Sequence, residues 1–316
     1  MNASTATLRT AIAAGLFALA AHADAGVRTE TVRFASNGDT LVGTLYLPEG
    51  ATPAEAVVVT GAWMTVKEQM AGRYAQELAE RGIAALAFDF RGWGQSEGSP
   101  RALENPERKT QDIVAASRFL QQMLPGARIS GLGICASAGY MADAATRTPV
   151  LQRVALVAPW LHDATIVSQV YGGAEGVARL IDTGRAAERR FAETGTEVTV
   201  PAASATDNTA VMFQVPYYTE ADRGLIPAWE TRFNVASWEG WLRFDAQLAA
   251  PKLPQPLLVV HSEAAAIPQG ARQFLAAVAS PTQQLWLDNV AQFDFYDRDA
   301  PVDAASDAVA GFLAQR

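Results

Sequence analysis

Apolar residues along the chain fall into three kinds of pattern. Val27 to Phe34 and Thr40 to Leu47 alternate apolar and polar positions on either side of Ser36-Asn37-Gly38-Asp39. Alternation is the period of a half-buried strand and Asn-Gly supplies a tight turn, so the segment predicts an antiparallel hairpin. Short continuous apolar runs then recur: Ala56 to Val59, Ala85 to Phe88, Ile129 to Ile134, Val154 to Val157, Pro256 to Val260 and Leu285-Trp286-Leu287. Runs of this length without alternation suit strands buried on both faces, as in a parallel sheet. Several spacers have helical period: Met70, Tyr74 and Leu78 before Gly82; Ile113, Ala116, Leu120 and Met123 before Pro125-Gly126; and Val302, Ala305, Val309 and Phe312. Strands alternating with helices predict an α/β fold with a mostly parallel, doubly wound sheet.

Residues 161–250 break this rhythm. They lack a clear strand run and concentrate large aromatics, among them Tyr171, Phe191, Phe213, Tyr217, Tyr218, Trp229, Phe233, Trp238, Trp241 and Phe244. The expected layout is a core from residues 26–160 and 251–316, interrupted by an inserted, mostly helical cap over the ends of the strands. Residues 1–25 read as a targeting leader: Arg9, an apolar run from Ala11 to Ala21, then Ala21-His22-Ala23 or Ala23-Asp24-Ala25 as a small-x-small cleavage site. That pattern predicts a periplasmic or secreted protein, or a cytoplasmic one if the leader is only an N-terminal helix. The run is too short to span a membrane and has no nearby Cys for a lipid, so no stable membrane anchor is expected.

Composition narrows the chemistry. Of 316 residues, 49% are hydrophobic and 18% charged, enough apolar material for a large core. The formal net charge is −8, from 33 acidic and 25 basic residues, which leaves no positive excess for nucleic acid. Three histidines and one cysteine exclude a zinc cluster or a disulfide framework, and Gly92-x-Gly94 lacks the third glycine of a dinucleotide fingerprint. No cofactor is expected.

The stretch Ile129-Ser130-Gly131-Leu132-Gly133-Ile134-Cys135-Ala136-Ser137-Ala138-Gly139-Tyr140 carries the most chemistry. Small residues crowd a strand-to-helix turn, as a nucleophile elbow requires, because residues two before and two after the nucleophile approach each other closely. Two registers fit, Gly133-x-Cys135-x-Ser137 and Cys135-x-Ser137-x-Gly139. The first puts Cys135 at the strand end and is preferred; Ser137 is the alternative. A cysteine at a helix start feels the helix dipole and unpaired N–H groups, which predicts a thiolate accessible near neutral pH. The other reading of Cys135 is a packed core thiol.

These residues resemble the α/β-hydrolase superfamily, nearest its dienelactone-hydrolase-like bacterial members, whose elbow is G-x-C-x-G-G. Gly133, Cys135, Ser137 and Ala138 take its positions, and Asp89-Phe90-Arg91-Gly92-Trp93-Gly94-Gln95-Ser96 resembles the family's D-x-R-G-x-G-x-S loop. The resemblance covers residues 27–160 and 251–316. It implies an oxyanion hole from the N–H of Ala136 with that of Ala62 or Trp63, an acid after the strand at 256–260 and a histidine after the strand at 285–287. The second loop has no histidine: Gln292 stands near the base position, and an amide accepts no proton near neutral pH. The acid position falls on Ala264 or Ala265, leaving Glu263 as the nearest carboxylate. Substitutes for the missing base are His261 beside Glu263, His162 beside Asp163, and Asp294 or Asp297. Lys67 reads as a solvated first-turn residue or a substrate anchor, and Arg91 as a loop brace.

The expected activity is hydrolysis of esters or thioesters, or acyl transfer, through an acyl-Cys135 (or acyl-Ser137) intermediate on a small apolar acyl or aryl substrate. Trp160, His162, Tyr171 and Trp238 are the candidate contacts for it. The alternative is an impaired hydrolase fold that binds a hydrophobic small molecule under its cap.

Overall fold

The computed structural model describes residues 26–50 and 52–315. The predicted leader lies outside the described residues. The opening hairpin is β1 (Val27–Ser36) and β2 (Asp39–Pro48), with Ser36 opposite Asp39. Asn37 and Gly38 take φ of 49° and 95°, the two left-handed residues that a two-residue turn needs. Then follow β3 (Glu55–Thr60), α1 (Met70–Glu80), β4 (Ala84–Phe88), α2 (Pro106–Met123), β5 (Arg128–Ile134), α3 (Ala136–Arg147) and β6 (Val154–Val157).

The cap holds α4 (Ala164–Val170), α5 (Gly173–Thr194), β7 (Thr199–Pro201), β8 (Ala203–Ser204), β9 (Met212–Phe213), α6 (Pro216–Thr219), β10 (Arg232–Asn234) and α7 (Ser237–Arg243). The core resumes with β11 (Leu257–His261), α8 (Pro268–Ala277), β12 (Thr282–Trp286), α9 (Asp294–Asp297) and α10 (Asp299–Leu313).

The eight-stranded sheet has the order β1-β2-β4-β3-β5-β6-β11-β12. Only the β1–β2 and β2–β4 pairs are antiparallel. The continuous apolar runs become the central strands: every residue of β4, β6 and β11 is buried. The predicted stripes of α1 and α10 face the core, as does that of α2 except for Met123, which is exposed at the last turn.

Besides its helices, the segment 161–250, expected to be mostly helical, carries two small two-stranded sheets, β7 with β10 and β8 with β9. Strands of two or three residues are too short to leave a periodic signal in the sequence. Among the described residues no helix is long and apolar enough to cross a membrane.

Candidate active site

The sharp turn at the end of β5 falls on Cys135. Its φ and ψ are 56° and −120°, a conformation that costs a residue with a Cβ about 1–3 kcal/mol. The surroundings impose it: the Cys135 N–H donates to Val157 O (3.1 Å), while Cys135 O accepts the N–H of Ala138 (3.1 Å) and of Trp160 (2.9 Å). Gly133 permits the turn, since a Cβ there would lie 2.7 Å from Ser137 O and 2.8 Å from the Ala138 Cα. Gly133→Ala is therefore expected to lower stability by about 2–3 kcal/mol, read from the urea midpoint. An unchanged midpoint would mean that the elbow backbone yields to the added methyl group.

Ser137 has no such geometry. It lies within α3, fully buried, and its hydroxyl has no hydrogen-bond partner.

The backbone N–H groups of Ala136 and Trp63 and the Tyr296 hydroxyl each favour the Cys135 thiolate. Burial acts the other way and is the larger effect, so the thiol's pKa is raised. This corrects the expectation of an acidic thiol, which weighed the helix start and not the desolvation beneath the cap. Ala62 is also corrected as an oxyanion donor, because its N–H points to Met70 Sδ (3.4 Å); of the two, the Trp63 N–H is the one that favours the Cys135 thiolate.

Gln292 occupies the loop after β12 with all its polar atoms engaged. Its Nε2 donates to Ala158 O (2.8 Å) and to the Tyr296 hydroxyl (3.1 Å), and its Oε1 accepts the Ala266 N–H (3.0 Å). Tyr296, accepting from Gln292, has its own proton free for Cys135. Sequence reasoning missed Tyr296. Its only signal was its place four residues after Gln292, close enough for the turn that leads into α9 to bring the two side chains together. The other titratable groups that interact with Cys135 are Tyr140, Tyr171 and Tyr218, all with pKa values raised by burial.

None of the proposed substitute bases is available to the thiol. His162 accepts Trp160 Nε1–H at Nδ1 (2.9 Å) and lies 3.2 Å from Trp241 O through Nε2, so the neutral ring is fully used. It braces Trp160 rather than lining the cavity. His261 ends β11 against Trp286, with ring centroids 5.4 Å apart, and neither nitrogen has a partner. Glu263 is exposed and paired with Arg272. Asp294 accepts the Ala291 N–H (3.1 Å), and Asp297 is held by Arg223 at 2.6 and 2.7 Å. Lys67 is buried and spends its ammonium on Glu68, Asp89 and Gln95, so it is not free to anchor a substrate. Arg91 braces its loop through Asp112. No cluster of three or more metal-ligating side chains occurs among the described residues.

Desolvation holds both buried histidines neutral, with pKa values lowered to about 4. The unfolded chain protonates them near pH 6.5, so stability is full above that pH and is lost as pH falls from about 6.5 toward 4. Each is expected to cost about 2 kcal/mol between pH 7 and pH 5. Urea unfolding at both pH values checks this: His261→Phe should remove its share of the loss, and an unaltered pH dependence would refute the assignment.

A cavity of about 590 Å³ opens above the sulfur. Cys135, Trp63, Trp160, Gln292 and Tyr296 line its floor, and Tyr171, Leu180, Val211, Met212, Tyr218 and Trp238 come from the cap. The cap aromatics divide their duties. Phe233 and Trp241 pack against Trp63, with centroids 5.2 and 5.0 Å away, as part of the cap's own core, whereas Tyr171, Tyr218 and Trp238 face the cavity.

A mostly parallel sheet, a left-handed elbow after β5 and backbone donors facing the elbow side chain define an α/β hydrolase. Residues 52–290 match the family described as Serine aminopeptidase, S33, and the chain belongs to it, with cysteine at the elbow. The chain is 31% identical over 303 residues to the uncharacterized protein PA2218 of Pseudomonas aeruginosa, spanning 92% of this chain and 81% of that one. The crystal structure of PA2218 superposes with a TM-score of 0.79, covering 94% of this chain and 95% of that one. Shorter matches link it to thiohydrolase aneE of Aspergillus aculeatus, 37% identical over 98 residues (31% of this chain, 30% of that one). A further match is polyketide transferase claH of Penicillium crustosum, 33% identical over 126 residues (37% of this chain, 41% of that one). The chain therefore has the α/β-hydrolase fold of that family.

Proposed function

We propose that the protein takes an apolar acyl group from a thioester onto Cys135 and passes it to a nucleophile other than bulk water. In the first step the Cys135 sulfur bonds to the acyl carbon while the carbonyl oxygen is held by the N–H groups of Trp63 and Ala136. The C–S bond of the thioester then breaks, and the departing thiolate carries away the proton that Cys135 gave up. A thioester needs no separate general acid, because its leaving thiol is more acidic than the buried Cys135 thiol that attacks.

One observation carries the reading: a cysteine in the left-handed elbow turn, its thiolate favoured by two backbone N–H groups, has an amide, Gln292, where a base would stand. Without a base to activate water the acyl-cysteine is slow to hydrolyse. It persists until a stronger nucleophile, a thiol or an amine, bonds to the acyl carbon; the bond to Cys135 Sγ then breaks, and that sulfur takes the proton the acceptor gives up. The apolar cavity favours a hydrocarbon or aryl acyl chain. The names of the thiohydrolase and polyketide transferase relatives are consistent with this chemistry.

Intact-mass spectrometry after exposure to thioesters of short to long acyl chains tests it. An adduct is expected on the wild type and on Ser137→Ala. The raised thiol pKa favours a second reading, an apolar-ligand binder without chemistry. That reading stands if no thioester adds mass while an acyl analogue still binds.

A further inference from the structure

Met64 follows the donor Trp63 and has φ of 62°, a left-handed conformation that costs a non-glycine residue about 1–2 kcal/mol. Both of its backbone polar groups are held by side chains from elsewhere. Its N–H donates to Glu104 Oε2 (3.0 Å), and its C=O accepts the Trp229 indole N–H (2.6 Å).

Glu104 is fully buried and joins several parts of the site. Its Oε2 also accepts from the Lys109 ammonium (2.8 Å), and its Oε1 accepts the hydroxyl of Tyr140 (2.9 Å), five residues beyond Cys135 on α3. Its backbone N–H donates to Ser237 Oγ in the cap (2.9 Å). Lys109 lies over the Phe90 and Trp93 rings at 4.6 and 4.9 Å, which keeps the carboxylate's countercharge in place. Trp229 belongs to the cap, and its ring lies 5.4 Å from Tyr218, a cavity-lining residue.

We propose that Glu104 and Trp229 are positioning residues that jointly fix the Met64 backbone, and so aim the Trp63 N–H at the reacting oxygen. Because Trp229 comes from the cap, the oxyanion hole is complete only while the cap is seated over the cavity. The inference rests on the reading of Trp63 and Ala136 as oxyanion donors. The energetic argument is that a glycine would take this backbone freely. Here a methionine is instead forced into it by a buried carboxylate and an indole from two separate elements.

The test uses alkylation of Cys135 by iodoacetamide, which needs no acyl substrate and therefore fails or succeeds independently of the acyl-transfer reading. The Trp63 N–H favours the thiolate, so misaiming it raises the pH at which the thiol reacts. In Trp229→Phe, which keeps an aromatic side chain and removes the donor, the rate near pH 7.5 is expected to fall about tenfold, the worth of one charge-assisted hydrogen bond. The limiting rate at high pH is expected to stay unchanged, which damage to packing alone would not produce. The double variant Glu104→Leu with Lys109→Met removes the other brace together with its countercharge, and should shift the profile the same way. It decides the matter if Trp229→Phe does not fold. Profiles that superpose on the wild type in a folded variant overturn the proposal. If thioesters then acylate the wild type, Trp229→Phe should lower the acylation rate while leaving the half-saturating concentration within about twofold.

Discussion

Cys135→Ala is expected to abolish acyl-adduct formation outright, with the folded protein retaining its cavity and its affinity for an apolar acyl analogue. Alanine keeps the Cβ that the left-handed elbow already accommodates, so the backbone strain is unchanged and only the sulfur is lost. Cys135→Ser is the more informative partner. A serine hydroxyl needs a base to become a nucleophile, and among the described residues no histidine or carboxylate contributes to the environment of this position. Its acylation should fall by roughly 10²–10⁴-fold, the usual worth of general-base help. An adduct forming on Cys135→Ser as fast as on wild type would reveal a base that the geometry does not account for. Ser137→Ala should leave adduct formation intact and cost little stability, because the buried hydroxyl it removes makes no hydrogen bond. Loss of the adduct in Ser137→Ala, with Cys135→Ala unaffected, would move the nucleophile to the second register.

Much of this arrangement is legible in the sequence. The hairpin could be read because Asn37-Gly38 names its own turn, and the parallel strands because burial on both faces leaves unbroken apolar runs. The elbow was visible as a crowd of small residues, but its register was not. Gly133 and Gly139 support two overlapping frames, and only the backbone at Cys135 separates them. The choice between Ala62 and Trp63 was equally hidden, since it depends on Met70 reaching back to take one N–H. The thiol's environment was misjudged because a helix start is local and readable, whereas desolvation comes from cap residues distant in sequence. Glu104, Tyr296 and Trp229 left no motif: each acts through a partner that only the fold brings near.

Gln292→His, combined with Ala265→Asp, is expected to turn a long-lived acyl-cysteine into a rapidly hydrolysed one. The wild-type amide is locked between Ala158 O, Tyr296 and the Ala266 N–H, so it can orient neighbours and cannot take a proton from water. An imidazole at the same position supplies a base, and a carboxylate in the loop that contacts Gln292 through Ala266 can hold the imidazole in the required tautomer. Hydrolysis of the adduct should accelerate by roughly 10²–10⁴-fold, with acylation changed less because the thioester's leaving thiolate already removes the proton. Decay of a preformed adduct, followed by mass, measures the effect directly. The single variant Gln292→His should give the smaller share of the gain, since an unoriented imidazole in an apolar cavity loses basicity through desolvation. If the double variant folds, acylates and still holds its acyl group as long as the wild type, the amide at position 292 is not what keeps water from reacting. The persistence of the intermediate would then have to come from exclusion of water by the cap, and opening the cavity mouth at Val170 would become the change that releases it.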